Sequence, residues 1–151
     1  MFDILMYLFE SYFNAGSYPD ADKLSIKLSA AGFEEDDISR ALSWLSGLDQ
    51  LSQADYPAEI NHSGIRHYAQ YEQQCISEDA LNFLSFWEHC KLVTPIEREM
   101  IIDRAVAFGR DEMPLNQVKL ITLMVLWNQR QDVDPLLIEE LISQNHSTQF
   151  H

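Results

Sequence analysis

His62, His67 and Cys75 lie near one another in the chain, and imidazole and thiolate are the groups that hold zinc. Structural zinc usually takes four ligands in closely spaced pairs, and the two cysteines, Cys75 and Cys90, form no CxxC. His89 and Cys90 are adjacent, so on a helix their side chains diverge by about 100°. We therefore expect these His and Cys residues to be ordinary surface or core residues, and no metal site. Carboxylates are the other chemically capable group. Asp36/Asp37 and Glu139/Glu140 can each be drawn as an acid/base pair. Both pairs fall at a helix start or on a polar helix face, however. There, negative charge has a simpler role, stabilising a helix N-terminus by about 0.3–1 kcal/mol. The sequence holds no Walker loop, GxGxxG, GxSxG or HExxH. We expect no enzyme, no catalytic residue and no cofactor.

The acids that invite a functional reading are Glu34, Glu35, Asp36 and Asp37, in the stretch GFEEDDISRALSWL at 32–45. This stretch follows a short helical run across a glycine, as in helix-turn-helix proteins. In such proteins the start of the second helix approaches base edges. Acids at that start oppose phosphate binding, and Arg40 is the only basic residue between 34 and 48. The spacing thus assigns Glu34, Glu35, Asp36, Asp37 and Arg40 to a protein partner. The alternative is a winged-helix-like nucleic-acid-binding protein. It would have to rely on Lys23, Lys27, Arg40 and Arg66, the basic residues of the first half.

Composition supports the first reading. Of 151 residues 46% are hydrophobic, enough to bury a core. The net charge is −14, which repels polyanions and anionic membrane surfaces. Residues 1–75 hold 12 acids against 4 Lys/Arg, and residues 76–151 hold 12 against 6, so no basic domain hides behind an acidic tail. Met1-Phe2-Asp3 lacks the basic start of a signal peptide. Unpaired cysteine usage suits a reducing compartment. The longest apolar run, near 120–127, is far short of a membrane span. We expect a cytoplasmic protein with no membrane partner.

Helices must position these residues. Residues 2–14 are apolar almost all round, apart from Asp3 and Glu10, and read as an enclosed helix. Residues 20–31 place Leu24, Leu28 and Ala31 at helical spacing; Gly32 suits the left-handed position that ends a helix, with Phe33 folding back. In 34–48, Ile38, Ala41, Leu42, Leu45 and Leu48 form one stripe, flanked by Trp44. Residues 49–75 lose the helical pattern, and 58–69 suit either a β-hairpin turning at Asn61-His62-Ser63-Gly64 or an irregular linker. Ser77 reads as a helix cap. Thr94-Pro95-Ile96-Glu97 is a capping box whose helix runs to about Phe108, with Gly109 as its stop. Pro114 opens a helix whose only charge from Leu115 to Trp127 is Lys119, so it is expected to be central and buried. Asp134-Pro135 starts a last helix, with Val133 and Ile138 placed as a staple.

The stretches MFDILMYLFESYF, AGF followed by DDISRALSWL, LVTPIEREMIIDRAVAF and VKLITLMVLWNQ together resemble the Smg family of bacterial proteins. The resemblance covers nearly the whole chain. It implies a family found mainly in proteobacteria and carried as a domain of unknown function. It also implies gene neighbours encoding the DNA-processing protein DprA and topoisomerase I. The chain departs where the family often has an acid before the last long helix: Pro114 stands there. Residues 24–48 more weakly resemble one three-helix repeat of the recombination regulator RecX. They also suit a winged helix if 58–69 form the wing.

The expected fold is mostly α. Residues 1–70 would form a tri-helical, winged-helix-like subdomain and residues 71–151 a helical bundle around 115–127. The expected function is a non-enzymatic protein-interaction module, an adaptor in DNA processing.

Overall fold

The computed structural model describes residues 2–16, 18–51, 68–108, 112–130 and 132–142, and these are mostly helical. The chain divides into two compact units, residues 1–50 and 51–151. The expected turn and most of the expected wing, residues 58–67, lie outside the described residues, as do His62, Arg66, His67 and Gly109.

In the first unit, α1 spans Phe2–Tyr12 and tightens into a 3-10 turn at Phe13–Ala15. Its apolar residues are not all enclosed. Ile4, Leu5, Leu8 and Phe9 are buried, whereas Phe2, Met6, Tyr7 and Tyr12 are only half-buried. A small three-helix unit can cover one face of a helix, not its whole girth. Helix α2 spans Ala21–Ala30 and α3 spans Glu35–Gln50; both α1 and α2 pack on α3. Asp20 caps α2, its Oδ1 accepting from the Lys23 amide at 3.2 Å. Gly32 adopts φ +99°; its amide donates to the Ser29 carbonyl (3.1 Å), and the Phe33 amide donates to the Leu28 carbonyl (3.2 Å). These two bonds complete the glycine-terminated cap that the sequence suggests. Phe33 lies edge-on to Tyr7 of α1, with ring centroids 5.5 Å apart. The buried stripe of α3 comprises Ile38, Ala41, Trp44, Leu45 and Leu48. Trp44 therefore belongs to the stripe, and Leu42 is the half-buried flank.

In the second unit, α4 (Gln70–Cys75), α5 (Glu78–His89), α6 (Pro95–Val106) and α8 (Pro135–Ile142) accompany α7 (Leu115–Gln129). Helix α7 packs against α5, α6 and α8, and every residue from Val118 to Trp127 is buried. Such a helix is apolar all round because it has neighbours all round. Lys119 complies by laying its aliphatic stem in the core, its Nζ 3.8 Å from Glu140 Oε1 and 5.7 Å from the centroid of the Phe83 ring. The TPIE box forms in full: the Thr94 amide donates to Glu97 Oε1 (2.9 Å) and the Glu97 amide donates to Thr94 Oγ1 (3.1 Å). Helix α6 ends at Val106, slightly before the expected Phe108.

Helix α4 has no counterpart in the sequence reading. Its start is held by the Ala69 amide donating to Glu72 Oε1 at 2.9 Å. The segment after it pairs with residues 112–113 through Glu112 N–H to Gln74 O (2.8 Å), Met113 N–H to Cys75 O (2.8 Å) and Ser77 N–H to Met113 O (3.0 Å). That parallel bridge is the only β pairing among the described residues.

Candidate partner-binding site

Glu34, Glu35 and Asp36 are exposed at the start of α3, and Asp37 is half-buried beside them. The Gly32 cap fixes where this start emerges, and the buried stripe from Ile38 to Leu48 turns the acids outward. The amide of Ile38 donates to the Glu34 carbonyl at 2.9 Å, so the first helical bond is made by the residue that begins the stripe. Arg40 Nη2 lies 2.7 Å from Asp37 Oδ1. That guanidinium is therefore already engaged within the helix, in an exposed pair of little energetic weight.

Of the residues assigned to the nucleic-acid alternative, Lys23 and Lys27 lie exposed on α2, one turn apart. Lys27 Nζ sits 5.5 Å from the centroid of the Tyr12 ring. Arg40 is on α3 with its Asp37 partner, and Arg66 is outside the described residues.

Beyond the acidic start, the far end of α3 meets α2 in a cleft of about 310 Å³. Leu24 and Leu45, each 2% exposed, form its floor together with half-buried Leu42. Tyr18, Asp20, Ser46 and Asp49 stand at its rim. The Tyr18 hydroxyl donates to Asp49, 3.2 Å from Oδ1 and 3.5 Å from Oδ2. Burial, then the neighbouring Asp49 charge and its hydrogen bond, push the Tyr18 phenol well above its ordinary value. It stays protonated and keeps donating.

The second unit holds buried charges that the sequence reading did not single out. Glu97, 4% exposed, accepts from Arg130 Nε at Oε2 (2.9 Å) and from Arg130 Nη2 at Oε1 (2.7 Å), while Nη2 also reaches the Leu92 carbonyl at 3.0 Å. Arg98, 2% exposed, donates through Nη1 to both oxygens of Glu88 and through Nε to Glu99 Oε2 at 2.8 Å. The Glu97–Arg130 pair ties the start of α6 to the end of α7, and the Arg98–Glu88 pair ties α6 to α5. A weaker concavity of about 180 Å³ between α4 and α6 carries Glu72, Glu99 and Asp103.

Cys75 is half-buried and Cys90 exposed, both as free thiols. Among the described residues no three His, Cys, Asp or Glu side chains converge as metal ligands, and no helix is long and apolar enough to cross a membrane. Glu139 and Glu140 are both exposed on α8, and Glu140 Oε1 lies 3.8 Å from Lys119 Nζ.

The whole chain, residues 1–151, matches the family model described as "Protein of unknown function (DUF494)". A protein Smg homolog from Azoarcus sp. (strain BH72) is 44% identical over 144 residues, covering 95% of this chain and 93% of that protein. Another from Methylobacillus flagellatus is 39% identical over 151 residues, covering both chains entirely. A third from Nitrosomonas europaea is 38% identical over 152 residues, again covering both. No solved structure matches the chain.

Proposed function

The chain belongs to the Smg homologue family, and from that membership we propose that it is a non-enzymatic protein-interaction module, an adaptor in DNA processing that works in the cytoplasm. The observation that carries this reading is the start of α3. Glu34, Glu35 and Asp36 present exposed carboxylates there, and the one basic side chain of α3, Arg40, is paired with Asp37. A surface of one sign attracts a partner of the other sign and repels phosphate. The partner is therefore a protein with a basic patch. The link to DNA processing rests on the gene neighbours that the family resemblance implies. The free thiols of Cys75 and Cys90 suit a reducing compartment.

The test is affinity capture from native cytoplasm on full-length protein, with and without nuclease. A protein partner retained after nuclease, and lost when Glu34, Glu35, Asp36 and Asp37 are neutralised together, is the expected result. Partners that vanish with the DNA would point instead to the winged-helix-like alternative through Lys23, Lys27, Arg40 and Arg66.

A further inference from the structure

We propose that α8 is a releasable strap, which undocks from α7 in a local opening and uncovers the Lys119 ammonium and the apolar surface around it. The inference goes beyond the interaction-module reading and does not depend on it. It describes a motion within the second unit.

The strap is lightly fastened. Helix α8 is eight residues long and rich in leucine and isoleucine, yet Leu141, 1% exposed, is its one buried side chain. Leu137 and Ile138 are half-buried, and Leu136 and Ile142 are 72% and 40% exposed. Val133, just before the helix, is buried and makes the second anchor. A docked helix is held in proportion to the apolar area it removes from water, and much of that area here stays outside. Helix α7 beneath is the opposite case, buried at every residue from Val118 to Trp127.

The contact under the strap works against closure. Lys119 carries the only charge between Leu115 and Trp127, and its side chain is 9% exposed. Its Nζ lies 3.8 Å from Oε1 of Glu140 on α8, too far for a hydrogen bond. A buried ammonium is costly unless it is both paired and hydrogen-bonded. When α8 lifts, the ammonium regains water, while Glu140, 62% exposed, already has most of its own. The attraction lost on opening is that of a pair with one member in solvent, which is small.

The strap also has a defined beginning. The Arg130 amide donates to the Leu126 carbonyl at 2.9 Å, and the Arg130 guanidinium is bound to Glu97 and the Leu92 carbonyl. Helix α7 is thereby pinned up to Arg130, and opening starts beyond it. Asp134 bonds forward into α8: its Oδ1 accepts from the Leu136 amide at 2.9 Å, and its carbonyl accepts from the Leu137 and Ile138 amides. None of these bonds reaches α7. A helix of eight residues is not stable by itself in water, so release and loss of helix go together.

The test is hydrogen exchange on the full chain, read amide by amide by NMR. It is paired with acylation of lysines by a water-soluble succinimidyl ester, read by mass spectrometry. Protection of the α8 amides is expected to be at least about tenfold below that of α7 amides from Leu120 to Leu126, which report global unfolding. Lys119 should acylate more slowly than exposed Lys91, in step with the opening of α8 and not with the rarer opening that α7 reports. Leu141→Ala should lower α8 protection and speed Lys119 acylation by the same factor, about tenfold or more. Lys119→Met keeps the apolar stem and removes the charge, so it should raise α8 protection about fivefold. Equal protection of α8 and α7, or Lys119 acylation at the rate of the α7 opening, would overturn the strap. So would a Leu141→Ala effect on one readout without the other, or α8 protection that falls or holds on Lys119→Met. Fully unprotected α8 amides would overturn it as well, because no closed form would then exist.

Discussion

Glu97 shows how one carboxylate can serve two structures at once. Its Oε1 closes the capping box on the Thr94 amide, and both its oxygens accept from Arg130, whose Nη2 also holds the Leu92 carbonyl. The start of α6, the turn before it and the end of α7 are thereby tied at one buried point. Arg130→Met should leave the Glu97 carboxyl, 5% exposed, without its two-point guanidinium partner. Removing one member of a buried pair costs about 3–5 kcal/mol, and the 29% exposure of the Arg130 side chain places the expectation near or below the lower end. Urea unfolding should show that drop in midpoint. Arg40→Met, which breaks only the exposed pair with Asp37, should change stability by about 0.5 kcal/mol or less. Equal effects would mean that burial at Glu97 does not decide the outcome. Tyr18 gives a pH prediction at the same scale. Its folded value is raised above the unfolded tyrosine value of about 10. The unfolded chain therefore sheds this proton first, and the contribution present below about pH 10 is lost as pH rises further. Tyr18→Phe should flatten the alkaline fall in urea midpoint between about pH 9 and 12. It should also remove a phenolate absorbance step that wild type shows only well above pH 10. An unchanged alkaline slope would exclude the Tyr18–Asp49 contact as its source.

Elements whose signals are local were legible in the sequence, and those built from distant pairings were not. The TPIE box, the Ser77 cap (Oγ 3.2 Å from the Ala80 amide) and the Gly32 turn each lie within a few residues of chain. Residue type and spacing suffice to read them. Helix α4 is six residues long behind an Ala69 N-cap that has no capping side chain; its local signal is Glu72, which accepts from the Ala69 amide, and the chain at its end pairs with residues 112–113 far along the sequence. The same reason hid Arg98 and Arg130, whose partners Glu88 on α5 and Glu97 on α6 lie 10 and 33 residues away in sequence. In α3 the stripe was legible except for its rotation. A helix seam admits either Leu42 or Trp44, and the larger ring takes the buried position. The cleft was illegible because it arises only when Tyr18, in the segment before α2, meets Asp49 of α3, 31 residues away. The Gly32 turn carries its own prediction. A Cβ at Gly32 meets nothing within 4 Å, so the cost of Gly32→Ala is purely that of holding φ +99°. That strain is about 1–2 kcal/mol, and a comparable loss of stability should appear on denaturant unfolding, with the far-UV spectrum unchanged. A neutral outcome would show that the turn tolerates another path between α2 and α3.

For the molecule as a whole, a net charge of −14 sets what can approach it. Duplex DNA recruits proteins by exchanging phosphate counterions for Lys and Arg, and each such contact steepens the salt dependence. Here the described cations of the first unit are few and partly engaged: Arg40 with Asp37, and Lys27 near the Tyr12 ring. The start of α3, where a recognition helix approaches base edges, is lined with acids. Wild type should therefore show no measurable affinity for short duplexes at physiological salt. Glu34→Gln, Glu35→Gln, Asp36→Asn and Asp37→Asn combined should raise any residual affinity seen at low salt. The same variant loses favourable charge at a helix N-terminus, about 0.3–1 kcal/mol for each well-placed acid, so its midpoint should fall modestly. Toward a basic protein partner the sign reverses. Neutralisation should slow association, most strongly at low ionic strength, because screening removes the steering field within about 10 Å at 0.1 M salt. Fluorescence anisotropy with labelled duplex and stopped-flow association with the captured partner measure the two arms on the same pair of proteins. Tight duplex binding by wild type at physiological salt, unchanged or weakened by neutralisation, would make the acids bystanders and assign α3 to DNA despite its charge.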